Sequence, residues 1–223
     1  MNKKKLLVVS LIICALAILS MGTIAWFNAS VEITNTFKMA DTDGNGTSDF
    51  SILAEEATVD GTGTTTTGNT YEGVTPGSVF GKNPSFENTG DYNQYIRASV
   101  TFDEYAKLKA AYDTHSKTFD LTEWLDIDDT VWTYDSVTTD TVANTVTYVY
   151  YLNTVLKAED DPATPEEDDK VVFFSEVTIP NWFDQNDMDF VSENFTITVK
   201  ADALQSDNMD KTNAKDAFGA YWN

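Results

Sequence analysis

From Phe27 onward the odd positions, Phe27, Ala29, Val31, Ile33, Asn35, Phe37 and Met39, are apolar except for Asn35. The even ones, Asn28, Ser30, Glu32, Thr34, Thr36 and Lys38, are polar. Period-two alternation over thirteen residues predicts a two-faced β-strand. The same period recurs in "YNQYIRASVTF" (92–102), where Tyr95, Arg97, Ser99 and Thr101 form one row and Gln94, Ile96, Ala98, Val100 and Phe102 the other. It returns in "DFVSENFTITVKADAL" (189–204), with Phe195, Ile197, Val199, Ala201 and Ala203 facing one way and Thr196, Thr198, Lys200 and Asp202 the other. "SVFGKNPSFEN" (78–88), "TVWTYDSV" (130–137), "NTVTYVYYLNTVL" (144–156) and "KVVFFSEVTI" (170–179) also read as strands. The strands at 78–88 and 92–102 flank "NTGD" and are expected to pair antiparallel. A short apolar piece, 50–59, precedes them.

One stretch has helical spacing. "DEYAKLKAAYD" (103–113) sets Tyr105, Leu108 and Tyr112 at i, i+3 and i+7 among good helix formers. It predicts one helix inserted across the sheet. "NAKDAFGAYWN" predicts a short closing helix that docks through Ala217, Phe218, Tyr221 and Trp222. The Gly/Thr stretch 60–77 reads as a loop, and "EDDPATPEEDD" (159–169) as a charged hairpin loop. Seven to nine strands without a βαβ rhythm or an internal repeat predict an all-β antiparallel sandwich.

The chain begins with Lys3, Lys4 and Lys5, an apolar run from Leu6 to Ser20 and small residues to Ala25, the pattern of a secretory signal peptide. Thr23 and Ala25 suit cleavage before Trp26. The rival is an uncleaved anchor, since Leu6 to Trp26 matches the ~20 residues a bilayer needs. The expected organisation is a signal at 1–25, an N-terminal strand at 26–40 and a sandwich at 41–223.

Cleavage removes Cys14, the only cysteine, so no disulfide can hold the exported domain. It also removes three of 14 basic residues, leaving 11 against 36 acidic ones and a net charge near −25. Such a surface repels nucleic acid and attracts divalent cations. The 13% aromatic content argues for a folded body with a charged skin. The aromatic residues of "YVYYL", "VVFF" and "NWFD" read as core at strand spacing, ahead of a carbohydrate platform.

Catalytic chemistry lacks parts. A zinc hydrolase needs about three ligands, usually with paired histidines, but His115 is the only histidine, placed just past the predicted helix as a solvated cap. No Gly-x-Ser-x-Gly elbow supplies a nucleophile. One stretch suits a cation. "DTDGNGTSD" sets Asp41, Asp43, Asn45, Thr47 and Asp49 on alternate positions around Gly46, the spacing with which oxygen ligands wrap Ca²⁺. Ile52 stands where an EF-hand has its bidentate glutamate, so an isolated calcium loop is in competition with a plain Gly/Asn/Asp turn.

The apolar run followed by "GTIAWFNASVEITNTF", the "VTPG" and "FENTGDYNQYIRASV" passage, and the closing "FFSEVTIP", "ITVKADALQSD" and "DAFGAYW" together resemble one family. It is that of TasA, the fibre-forming matrix protein of Gram-positive bacteria, and of camelysin, its surface relative. The resemblance covers the signal and the C-terminal third best; residues 103–170 depart from it. It implies a jelly-roll-like sandwich with a flexible N-terminal strand, and cleavage by a SipW-type signal peptidase. The function it implies is that of a secreted, non-enzymatic subunit of biofilm-matrix or cell-surface fibres.

In that family the strand behind the cleavage site enters a neighbour. Carried over, the polymerisation residues are Trp26, Phe27, Ala29, Val31, Ile33 and Phe37. The implied partners are further copies, head to tail, together with the signal peptidase and other matrix proteins. The alternative is a monomeric cell-surface binding module whose N-terminal strand stays in its own sheet. A camelysin-like metalloprotease fits least, because one histidine cannot assemble its zinc site. Calcium is the one cofactor expected, with no zinc.

Overall fold

The computed structural model describes residues 28–32 as backbone, and 50–59, 61–72, 74–158, 168–184, 186–187 and 195–222 in full. Within them lie eleven strands: β1 (Asn28–Glu32), β2 (Ile52–Ala57), β3 (Thr64–Thr65), β4 (Val79–Gly81), β5 (Ser85–Asn88), β6 (Gln94–Phe102), β7 (Trp132–Asp140), β8 (Thr145–Leu152), β9 (Lys170–Val172), β10 (Glu176–Thr178) and β11 (Ile197–Gln205). The helices are α1 (Tyr105–Thr114) and α2 (Ala214–Tyr221). Every strand pair is antiparallel. A five-stranded sheet runs β1-β11-β6-β8-β7, a four-stranded one β3-β2-β5-β9, and β10 pairs with β4 alone. This is an all-β sandwich with one inserted helix.

Alternation determines which rows face inward. Gln94, Ile96, Ala98, Val100 and Phe102 of β6 are all fully buried, as the period-two reading requires, and so are Val199, Ala201 and Ala203 of β11. Phe86 of the four-stranded sheet meets Trp132 and Phe173, each at 6.0 Å between ring centroids, and Trp132 lies 4.9 Å from Phe173. Edge-to-face aromatic pairs of this kind join the two layers. Trp132 Nε1 also donates to the Val172 carbonyl at 2.9 Å, so its one polar atom is satisfied. The aromatic runs are core, as expected, with Tyr148, Tyr150, Phe173, Phe174 and Phe183 all buried.

Both helices form where the spacing places them. α1 buries Leu108, Ala111 and Tyr112. Its first turn is capped from outside: Asn144, in the β7–β8 turn at φ 57°, accepts from the Ala106 and Tyr105 amides at 2.8 and 3.0 Å. α2 begins at Asn213, whose Oδ1 accepts from the Asp216 amide at 2.9 Å in a side-chain N-cap. It packs Ala217 and Phe218 on the outer face of the five-stranded sheet over Tyr95 and Leu204, with Tyr221 and Trp222 partly buried alongside.

Three expectations fail. Residues 78–88 and 92–102 do not pair with each other: β5 joins β2 and β9, while β6 joins β11 and β8, so "NTGD" crosses between layers. The crossover is fixed by Asn88, fully buried, which donates to the Tyr92 and Lys157 carbonyls at 2.9 and 2.7 Å and accepts from Gln94 Nε2 at 2.7 Å. β8 and β9, which were expected to be the arms of a hairpin around 159–169, lie in different sheets, although the Lys157 amide donates to the Asp168 carbonyl at 3.0 Å. Residues 78–88 divide into β4 and β5, and 170–179 into β9 and β10, each time in different sheets, with Phe173 and Phe174 buried at the second break.

Candidate functional site

β11 pairs with β6 over its whole length on one side, from Ile197↔Phe102 to Gln205↔Gln94. On its other side it carries β1 over five residues only, Asn28↔Leu204, Ala29↔Ala203, Ser30↔Asp202, Val31↔Ala201 and Glu32↔Lys200. Ala29 and Val31 thus stand opposite residues buried in the core, and Ser30 and Glu32 opposite the outward row. Residues directly opposite each other in an antiparallel pair share a face. Of the predicted polymerisation residues, Ala29 and Val31 lie in β1; Trp26, Phe27, Ile33 and Phe37 lie outside the described residues, as do the calcium-loop positions Asp41, Asp43, Asn45, Thr47 and Asp49.

The outward row of β11 is polar and internally paired. Asp202, only 5% exposed, accepts from Arg97 Nη2 and Nε at 2.6 and 3.0 Å, and Lys200 lies 3.0 Å from its other oxygen. The Arg97 guanidinium rests 4.8 Å from the Phe218 ring and 5.0 Å from that of Trp222.

Among the described residues no strand covers Ile197, Thr198 and Val199 on the β1 side. There β11 opens onto a cleft of about 390 Å³ with Phe195, Ile197, Val74, Phe80 and Ile179 in its lining. Lys82 in its wall is ion-paired at 2.5 Å with Glu56, which is 1% exposed and also takes the Asn69 amide at 2.8 Å. Tyr71 donates to the Gly81 carbonyl at 2.9 Å; burial, with the charge of Glu56, pushes its phenol up to about 12.

The opposite edge of the sheet differs. β7 carries a bulge between Tyr134 and Ser136, and Asp135 at the bulge is ion-paired with Lys215 at 2.7 Å. Bulges and edge charges are devices that block further strand pairing.

His115 is the C-cap of α1, as expected, but its side chain is not solvated. It ends α1 half-buried, with its ring 5.2 Å from Trp182 and Nε2 2.7 Å from Asp187 Oδ2. His115, Asp184 and Asp187 hold ligand atoms within 4.8 Å of one another and are a group able to hold a cation. The carboxylates are already used locally. Asp187 Oδ2 accepts from the Asp184 amide at 2.7 Å, and Asp184 Oδ1 accepts from the Asn186 and Asp187 amides at 2.7 and 3.1 Å. Those amide bonds, aided by His115, hold the Asp184 carboxyl below its ordinary range. Among the described residues no helix is long and apolar enough to cross a membrane.

Comparison with family models, with curated proteins and with solved structures finds no match to this chain.

Proposed function

We propose that the chain is a secreted structural subunit that assembles into extracellular fibres by strand exchange, with β1 of one copy occupying the β11 edge of the next. The observation that carries this reading is the β1–β11 pair. β1 adds to a sheet that is otherwise complete, through one neighbour and five residues. Main-chain hydrogen bonds supply the affinity and alternate side chains the specificity, as in β-augmentation.

The same pairing can be made within one chain or between two. Seventeen residues, 33–49, separate β1 from Phe50, where the body begins. Extended, they span up to about 60 Å, enough to reach a neighbouring subunit. Continued in the register of β1, a strand beyond Glu32 would bring position 33 opposite Val199 and position 37 opposite Phe195, which lines the apolar cleft. A contact that runs head to tail does not close on itself and gives a filament. A strand directly behind a signal peptide is released only on cleavage, which confines assembly to the outside of the cell.

The resemblance to the TasA and camelysin family supports this role and a jelly-roll topology, with a SipW-type peptidase and other matrix proteins as partners on a Gram-positive surface. The role is structural and needs no catalytic centre. Calcium at Asp41, Asp43, Asn45, Thr47 and Asp49 would brace the link between strand and body. Calcium titration against Asp41→Ala tests that point, and equal affinity in both proteins would remove it.

The second reading is a monomeric surface module, favoured by the fact that β1 meets β11 within a single chain. Deleting residues 26–37 separates the two. Strand exchange predicts a folded body that forms no fibres and captures a synthetic peptide of residues 26–40 at one per subunit. Global unfolding of the deleted protein supports the monomeric module, and fibres that persist without the strand contradict exchange.

A further inference from the structure

At β7 the face that carries the core elsewhere in the five-stranded sheet is left partly open. Tyr134 stands opposite Tyr150 and Val137 opposite Tyr148. The bulge makes this row. Without it Tyr134 and Ser136 would share a face; with the extra residue, Tyr134, Val137 and Thr139 do. Together with Asp120 and Thr122 from the segment after α1, they bound a cleft of about 370 Å³, at the small end of ligand sites. Tyr134 and Val137 are each 48% exposed, and the Tyr134 ring stands edge-on to Tyr150 at 5.5 Å.

Two polar groups in the cleft have capacity to spare. Tyr150 is only 5% exposed, yet its hydroxyl makes no hydrogen bond to any described residue. Asp120 commits Oδ1 to the Thr122 amide and hydroxyl at 2.9 and 2.7 Å, which leaves Oδ2 with no donor among the described residues. Burial, with the charge of Asp120, pushes the Tyr150 phenol upward and keeps it a donor. No Lys, Arg or His is among the residues that line the cleft.

We propose that this cleft binds a neutral oligosaccharide, one ring stacked on Tyr134 and its hydroxyls shared between Asp120 Oδ2 and the Tyr150 hydroxyl. A sugar ring has a C–H face for an aromatic platform and hydroxyls on its rim, and so matches an aromatic wall with one donor and one acceptor. A purely apolar ligand would bury Asp120 and Tyr150 unsatisfied. An anion would meet Asp120 in a chain of net charge −22.

The test is calorimetric titration of the purified protein with cellohexaose, chitohexaose and maltohexaose, with tetragalacturonate as the acidic counterpart. At least one neutral probe is expected to bind below about 1 mM, with tetragalacturonate not binding. Tyr134→Ala should weaken the neutral probe at least about tenfold, and so should Tyr150→Phe, which removes a hydroxyl without a protein partner and leaves the melting temperature unchanged. Failure of all three neutral probes at about 10 mM, preference for tetragalacturonate, or unchanged affinity in both variants would overturn the proposal.

Discussion

Arg97 and Asp202 face each other across β6 and β11 and form an ion pair at 2.6 Å on the outer face of the sheet, beneath the Phe218 and Trp222 rings. The pair ties β11, the strand that carries β1, to the centre of its sheet. Arg97→Ala leaves a carboxylate that is only 5% exposed without its guanidinium, with Lys200 still 3.0 Å from its other oxygen. A loss of about 2–3 kcal/mol is expected in urea unfolding, partly through the stacking on α2. Arg97→Lys should recover little of it, because an ammonium cannot reproduce the planar fork.

Asn88 is the joint between the two layers. Asn88→Ala takes the side-chain partner from the Tyr92 and Lys157 carbonyls and the Gly90 amide at a fully buried position, and one of two acceptors from Gln94 Nε2, which keeps the Ser51 carbonyl. The expected cost is about 3 kcal/mol by chemical denaturation. Asn93→Ala, at a partly exposed site bonded to Asp207, should cost less.

Asn144 stabilises α1 from a distance of nearly forty residues in sequence. Asn144→Ala removes the bond to the Ala106 amide and replaces asparagine, which tolerates φ 57°, by a residue that tolerates the left-handed region less well. About 1–2 kcal/mol of stability should be lost. Asn144→Gly should lose only the cap, so the difference between the two variants measures the backbone contribution.

Asp126 gives a pH dependence of known sign. Burial opposes its ionisation, but the Ser175 hydroxyl and the Glu176 and Ser175 amides outweigh that and hold the carboxyl below its ordinary value. A folded-state pKa lowered in this way stabilises the protein above the unfolded value, about 3.9, and the contribution is lost as pH falls through the folded value. Asp126→Asn should lower the urea midpoint by more at pH 7 than near pH 2. An equal deficit at both pH values would show that the carboxylate charge is not the cause.

Local pattern carried the reading of faces, and it carried it well: the buried rows of β6 and β11, the docking residues of α2 and the core face of α1 all follow from period. Partner choice is not local. Nothing in "NTGD" tells a hairpin from a crossover; the distinction lies in Asn88 reaching Lys157, nearly seventy residues away. The break at Phe173 and Phe174 is hidden because both sides of it are apolar. The bulge at Asp135 inverts the period halfway along β7, and so hid the row of Tyr134, Val137 and Thr139. His115 was read from its own helix, while its partners come from the segment after Pro180.

The most direct test of strand exchange uses the register itself. Glu32 lies opposite Lys200, and opposite residues in an antiparallel pair stand about 4.5–5.5 Å apart at Cα, within reach of a disulfide. Glu32→Cys protein, its thiol activated as the mixed disulfide with thionitrobenzoate, is mixed under assembling conditions with reduced Lys200→Cys protein, whose thiolate displaces thionitrobenzoate where the two meet. Cys14, the one cysteine of the sequence, lies in the expected signal segment and is replaced by serine in both proteins. Exchange predicts a disulfide-linked heterodimer on a non-reducing gel and, from the doubly substituted chain, a ladder of covalent oligomers. No heterodimer, with the doubly substituted chain closing on itself as a monomer, would contradict the account.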